Sequence, residues 1–158
     1  MSTHQIRDGS RILQFEGTLI SHSTSWRRGS SRWVEFSLYR TASGSYVLSR
    51  TGLSLLFHDP SCEVVDRNSL KVSPSAALER DAQPCVECTP NRQQPEICAE
   101  TPRCWAHVSE TPEGVIEALQ RHDDYGSRYL TRVAQRLLEQ AGTVDLALDA
   151  VYRVEHIA

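Results

Sequence analysis

Residues 33–50 read WVEFSLYRTASGSYVLSR, and this stretch decides the fold. Val34, Phe36 and Leu38 alternate with Trp33, Glu35, Ser37 and Tyr39, the period of two that a pleated strand imposes on a half-buried segment. Ala42, Ser43 and Gly44 interrupt the pattern, and Tyr46 to Arg50 resume it. Two alternating runs with a short break of small residues predict a β-hairpin, with Gly44 supplying the positive φ of its turn.

Outward from the hairpin, the same period recurs. In Arg11–Ile20, Leu13, Phe15 and Leu19 share one face, and Ile12, Gln14, Glu16 and Thr18 share the other. Thr51-Gly52 reads as a turn. Leu53–His58 and Cys62–Val65 read as two more short strands, separated by Asp59-Pro60-Ser61. Residues 1–66 are therefore expected to form an antiparallel β-meander of four or five strands. Residues 67–108 read as a connector followed by a Cys-rich loop, with a short helical hint at Ala76–Arg80 and no usable period from Cys85 to His107.

Residues 109–158 change period to that of a helix. Thr111-Pro112-Glu113 is a start signal: a capping hydroxyl, proline at the first helical position and an acid in the first turn. Leu130, Val133, Ala134, Leu137, Leu138 and Ala141 then form an apolar stripe at helical spacing. Asp124 is the expected cap of this helix, Gly142 its stop and Thr143 the cap of a third. That third helix turns inward either Leu148, Val151 and Tyr152 or Ala147, Val151 and Val154. The expected architecture is a single α+β domain: an N-terminal antiparallel meander, a central Cys-rich loop, and a bundle of two or three helices packed on the sheet.

Composition narrows the class. The chain has 158 residues, 39% hydrophobic and 23% charged, as in globular domains and unlike disordered chains. Apolar runs fall far short of the ~18 residues of a membrane span, so no membrane partner is expected. Met1 to Ser10 is polar and contains Asp8, unlike a secretory signal, which makes the cytoplasm the expected location. No phosphate-binding glycine loop, G-x-S-x-G or H-E-x-x-H motif occurs.

Cysteines carry the strongest chemical signal. The spacing is Cys85-x2-Cys88-x9-Cys98-x5-Cys104, with His107 three residues beyond. Zinc is held by four sulfur or nitrogen ligands in a tetrahedron, and a C-x2-C turn points two sulfurs at one ion. Pro84, Pro90 and Pro95 break regular structure here, and apolar residues are few, so a metal orders such a segment more readily than burial does. The expected site is one structural Zn²⁺ on Cys85, Cys88, Cys98 and Cys104, with His107 in reserve. The alternative is that these thiols are incidental or buried. A redox dithiol is disfavoured, because Cys85 follows Pro84 in a loop and not a helix N-terminus. Cys62 reads as a core residue.

A second signal is electrostatic. Residues 1–51 carry a net charge of +4 and residues 52–158 carry -7. Arg27, Arg28, Arg32, Trp33, Tyr39 and Arg50 fall within the basic part. Arginines interleaved with aromatics on a sheet suit phosphates and stacked bases. Against this, the aromatics also suit a core under the helices, with the arginines as a solvated rim.

Three functional expectations follow. The first is a non-catalytic, zinc-braced interaction or regulatory module that binds a larger protein complex. Its small size and single Lys71 fit an accessory or inhibitory factor of a phage or mobile element. The second is a nucleic-acid-binding protein using the Arg and aromatic sheet. The third is a metal- or thiol-dependent hydrolase built around His58 and the cysteines, with His122 the other histidine beside carboxylates.

Overall fold

The computed structural model describes residues 1–30, 32–54, 103–154 and 157. In chain order they form β1 (Ser2–Asp8), β2 (Arg11–Thr24), β3 (Arg32–Thr41), β4 (Tyr46–Ser54), β5 (Arg103–Ser109) and α1 (Pro112–Leu119). The short pair β6 (Arg121–His122) and β7 (Arg128–Tyr129) follows, then α2 (Arg132–Gly142) and α3 (Leu146–Arg153). The protein is thus α+β, with a five-stranded antiparallel meander in the order β1-β2-β3-β4-β5 followed by helices. The β3–β4 hairpin has the expected boundaries at its turn, where Arg40 pairs with Tyr46 and Gly44 adopts a φ of 91°.

Each strand of the hairpin gives one face to the helices. Phe36, Leu38, Tyr46 and Leu48 on that face pack against Val115 and Leu119 of α1, Leu148 of α3, and Val133, Ala134, Leu137, Leu138 and Ala141 of α2. The α2 stripe is the one the helical spacing predicts, and Leu130 packs against its start. In α3, Leu148 is buried and Tyr152 packs against the core, which selects the first of the two expected faces.

A bulge decides how α2 docks. The β2–β3 register shifts between Leu19 and Ser21, so Leu19 lies opposite Tyr39 but Ser21 opposite Leu38. One extra residue in a strand reverses the facing of everything beyond it. Leu13, Phe15 and Leu19 therefore face away from the helices, while Ser21 and Ser23 face α2. The Ser21 hydroxyl donates to the Leu137 carbonyl at 2.7 Å and Ser23 to that of Val133 at 2.9 Å.

The opposite face curls on itself. Tyr39 meets Phe15 edge-on, with ring centroids 5.2 Å apart, and lies 4.7 Å from the His4 ring. The two sheet edges approach where Gly9 N–H donates to the Cys104 carbonyl at 2.8 Å and the Ala106 N–H to Asp8 at 3.2 Å.

Several expectations are corrected. Thr51-Gly52 is not a turn: β4 continues through it to Ser54, with Gly52 paired to Val34 and Arg103. A glycine inside a strand marks a place where a neighbour lies close. The polar N-terminus forms β1, in which Ile6 is buried. Arg103–Ser109 lacks a period yet forms β5, because it is partly covered on both faces and neither face needs to be uniformly apolar. Asp124 does not cap α2. Asp123 instead accepts the Tyr125 and Ser127 N–H groups, both at 2.9 Å, and this turn chemistry makes the β6–β7 hairpin. Thr131 caps α2, Thr143 follows Gly142 as its last cap, and Asp145, not Thr143, caps α3. Of the expected strand Leu53–His58, Leu53 and Ser54 end β4 and do not start a new strand, and the rest lies outside the described residues, as do the expected strand Cys62–Val65 and the hint at Ala76–Arg80. Among the described residues no helix is long and apolar enough to cross a membrane.

Candidate functional site

Rows of residues across β3, β4 and β5 show where the helical layer stops. Leu38, Leu48 and His107 are in register, and so are Phe36, Arg50 and Trp105 one row further along. The helices cover the first row. Over the second, α1 has ended at Leu119, the chain leaves as the β6–β7 hairpin, and it returns only at Thr131 to start α2. The gap is a cleft of about 600 Å³.

Its floor is apolar, formed by Val34, Phe36, Leu119 and Val133, with Trp105 on the wall. Five arginines line it: Arg27, Arg50, Arg121, Arg132 and Arg136. Among the described residues no carboxylate does. Each comes from a different local rule. Arg27 sits in the β2–β3 turn, where its N–H is held by the Ser30 hydroxyl at 2.9 Å. Arg50 is fixed by β4 in the row between Phe36 and Trp105. Arg121 opens β6, and Arg132 and Arg136 are one turn apart on α2. Arg136 donates to the Thr24 carbonyl at 2.9 Å. The side chains of Arg27, Arg50, Arg121 and Arg132 have no hydrogen bond or ion pair among the described residues.

Burial lowers the pKa of the half-buried Arg50, and the nearby Arg121 and Arg103 lower it further. Its charged form is thus held against both desolvation and like charge. Residues Thr131 to Val133 add the N-terminus of α2, the positive end of its dipole. The Trp105 ring lies parallel to that of His107, with centroids 5.9 Å apart and planes at 12°.

A smaller depression of about 280 Å³ adjoins the cleft and shares Ser25, Val34 and Arg50 with it. Arg32, Trp33 and Arg103 are among the residues that border it.

Of the residues expected to bind nucleic acid, the structure brings Arg27 and Arg50 into the cleft and Arg32 to its annex; Trp33 borders the annex, but it alternates with Val34 and Phe36 along β3 and so belongs to the opposite face of the sheet. Arg28 is exposed in the turn and lines neither. Tyr39 is on the opposite face, in the cluster with His4 and Phe15. Tyr46 is buried among the core residues, with the Arg40 guanidinium over its ring. Sequence reading missed Trp105, Arg121, Arg132 and Arg136. The available signal was the Arg132/Arg136 spacing of four, which puts both on one flank of the α2 stripe.

For the expected zinc site, Cys85, Cys88 and Cys98 lie outside the described residues, as does His58. Cys104 and His107 are both on β5, paired with Thr51 and Leu48. Three positions apart on a strand, they face opposite sides of the sheet. Among the described residues no three His, Cys, Asp or Glu side chains converge as a metal site. His122 is exposed on β6.

No protein-family model, curated protein or solved structure matches the chain.

Proposed function

We propose that this chain is a nucleic-acid-binding module whose phosphate contacts come from the arginines of the cleft. The observation that carries the reading is a concave surface that, among the described residues, is lined by five arginines and no carboxylate, with Arg50 half-buried in it. Like charges gathered without counter-charges cost the free protein stability, and an incoming polyanion relieves that cost. The N-terminus of α2 favours the same sign of ligand. An acidic protein surface would also be attracted here. The apolar floor and Trp105 favour nucleic acid, whose bases supply the flat apolar faces that an acidic peptide lacks.

Salt dependence tests the reading directly. Counterion release makes log affinity fall with log salt by about 0.7–0.9 per phosphate contacted. Replacing Arg121 and Arg132 together by alanine should weaken binding across sequences and reduce that slope by roughly two. Arg28→Ala, outside the cleft, is the control expected to change little. Wild-type protein that retains neither DNA nor RNA at about 50 mM salt, where such contacts are strongest, would overturn the proposal.

A further inference from the structure

The phosphate-binding reading leaves open which form of nucleic acid the cleft accepts. We propose that it takes one unpaired nucleotide of a strand, with the base stacked on Trp105 and the phosphate held by Arg50 and Arg121. This rests on the reading above and specifies its ligand.

Three observations lead there. The first is register. Arg50 of β4 is paired directly with Trp105 of β5 and, on its other side, with Phe36 of β3. Cross-strand partners share a face of the sheet, with β-carbons about 5 Å apart, and all three residues line the cleft. A cation one strand away from an aromatic ring matches the phosphate and the base of a single nucleotide. Arg121 reaches the same place from β6: it lines the cleft, and its charge acts on Arg50.

The second observation is how many rings are on offer. Among the described residues two aromatic side chains line the cleft. Phe36 is 7% exposed and belongs to the floor, whereas Trp105 is 37% exposed. Trp33 and Tyr39 belong to the other face of the sheet, and Tyr46 to the core. One available ring receives one base, and Arg27, Arg132 and Arg136 around it are left for the flanking phosphates. The Trp105 ring also lies parallel to that of His107. A ring backed by a second ring has little orientational freedom left to lose when a base stacks on it.

The third observation is the recess itself. Its floor of Val34, Phe36, Leu119 and Val133 is apolar. Duplex bases present only their edges in the grooves, and a paired base enters a recess only after leaving its stack, which costs energy. An unpaired base already exposes its faces, and aromatic side chains receive them.

Fluorescence anisotropy at low salt tests the proposal. The probes are a labelled oligothymidylate, fully paired duplex DNA of equal length, the same duplex with one bulged thymidine, heparin and thymidine monophosphate. The single strand should bind on the order of ten-fold more tightly than the paired duplex or heparin, the preference expected from about one base stack. The bulged duplex should regain most of that preference. The single strand should also quench tryptophan emission. Trp105→Ala should remove the quench, weaken the single strand on the order of ten-fold and leave heparin binding unchanged, and Trp105→Phe should recover much of the loss. The wild-type comparison among probes needs no variant, so it decides the matter even if Trp105→Ala fails to fold. Equal binding of single strand, paired duplex and heparin, with no quench, would refute the stack on Trp105 and leave the phosphate reading standing. A bulged duplex that binds no better than the paired one would refute the single-nucleotide site. Failure of every polyanion to bind, or thymidine monophosphate binding as tightly as the oligomer, would remove the parent reading.

Discussion

Asp145→Ala should destabilise the protein by about 2–4 kcal/mol, because one carboxylate serves two structures at once. As the N-cap of α3, it accepts the Leu148 N–H at 3.0 Å. It also accepts from the Arg40 guanidinium at 2.7 Å, and both its oxygens lie 3.1 Å from the Tyr46 hydroxyl. Arg40 in turn donates to the Tyr46 hydroxyl and lies 4.3 Å from its ring centre. Loss of an N-cap costs about 1 kcal/mol. Hydrogen bonds to a charged partner contribute roughly 1.5–3 kcal/mol. The Arg40 side chain is 36% exposed, so solvent screening pulls its share to the low end. Asp145→Asn keeps the cap and loses the charge, for a cost of about 1–2 kcal/mol.

Acid titration adds a signature. Burial acts to raise the Asp145 pKa, but the Leu148 N–H, the Tyr46 hydroxyl and Arg40 outweigh it and hold the carboxyl below its ordinary value. A depressed folded-state pKa means stability that is fully present above the unfolded value, about 3.9, and lost as pH falls through the folded one. The gap between wild type and Asp145→Asn should hold constant near neutrality and narrow below about pH 4. Tyr46, pushed up to about 12 by burial and then by Asp145, stays a protonated donor throughout. Urea unfolding followed by circular dichroism measures both effects. An alanine variant within about 0.5 kcal/mol of wild type, the range of an ordinary surface change, would show that this joint does not hold α3 to the hairpin.

Other substitutions probe the core and the cysteines. Leu137 is fully buried on α2, so Leu137→Ala should cost about 2–5 kcal/mol in the same unfolding assay. A β-carbon at Gly17 would lie 2.5 Å from the Arg40 carbonyl oxygen, which is backbone and cannot swing aside. Gly17→Ala should therefore lower the melting temperature, at a cost of about 1–3 kcal/mol, and an unchanged melt would argue against that close contact. The Cys cluster is proposed to hold one zinc ion. Metal analysis of untagged protein should find close to one equivalent, reduced by Cys85→Ser or Cys104→Ser but not by His107→Ala, since β5 turns residues 104 and 107 to opposite faces. Zinc below about 0.2 equivalents would be too little for a four-ligand structural site and would remove the metal.

Periodicity made the hairpin and α2 legible, because each has one buried face and one wet face. Where that condition fails, the sequence is silent. β5 is partly covered on both sides, so Cys104, Trp105, Ala106 and His107 show no alternation. In β2 the alternation is real up to Leu19, but the bulge reverses the facing, and the seeming continuity from Leu19 to Ser21 and Ser23 misleads. The caps went astray for a related reason. Asp123 and Asp124 offer the same chemistry to a helix and to a turn, and Gly126, at a φ of 79°, settles it for the turn.

The candidate site shows why charge along the chain was a poor coordinate for charge in space. The first third is basic and the rest acidic, which suggests a basic sheet beside an acidic helical part. Yet Arg121, Arg132 and Arg136 come from the acidic part, and they meet Arg27 and Arg50 in one cleft. Three described acids of that part are engaged elsewhere: Asp123 on its turn, Asp145 on Arg40 and Tyr46, and Asp149 on Arg153 at 2.5 Å. What concentrates positive charge at one place is not an excess of arginine, since the chain as a whole is at -3. Among the described residues it is the commitment of these acids to turns and caps, beside arginines that gather where the helical layer ends.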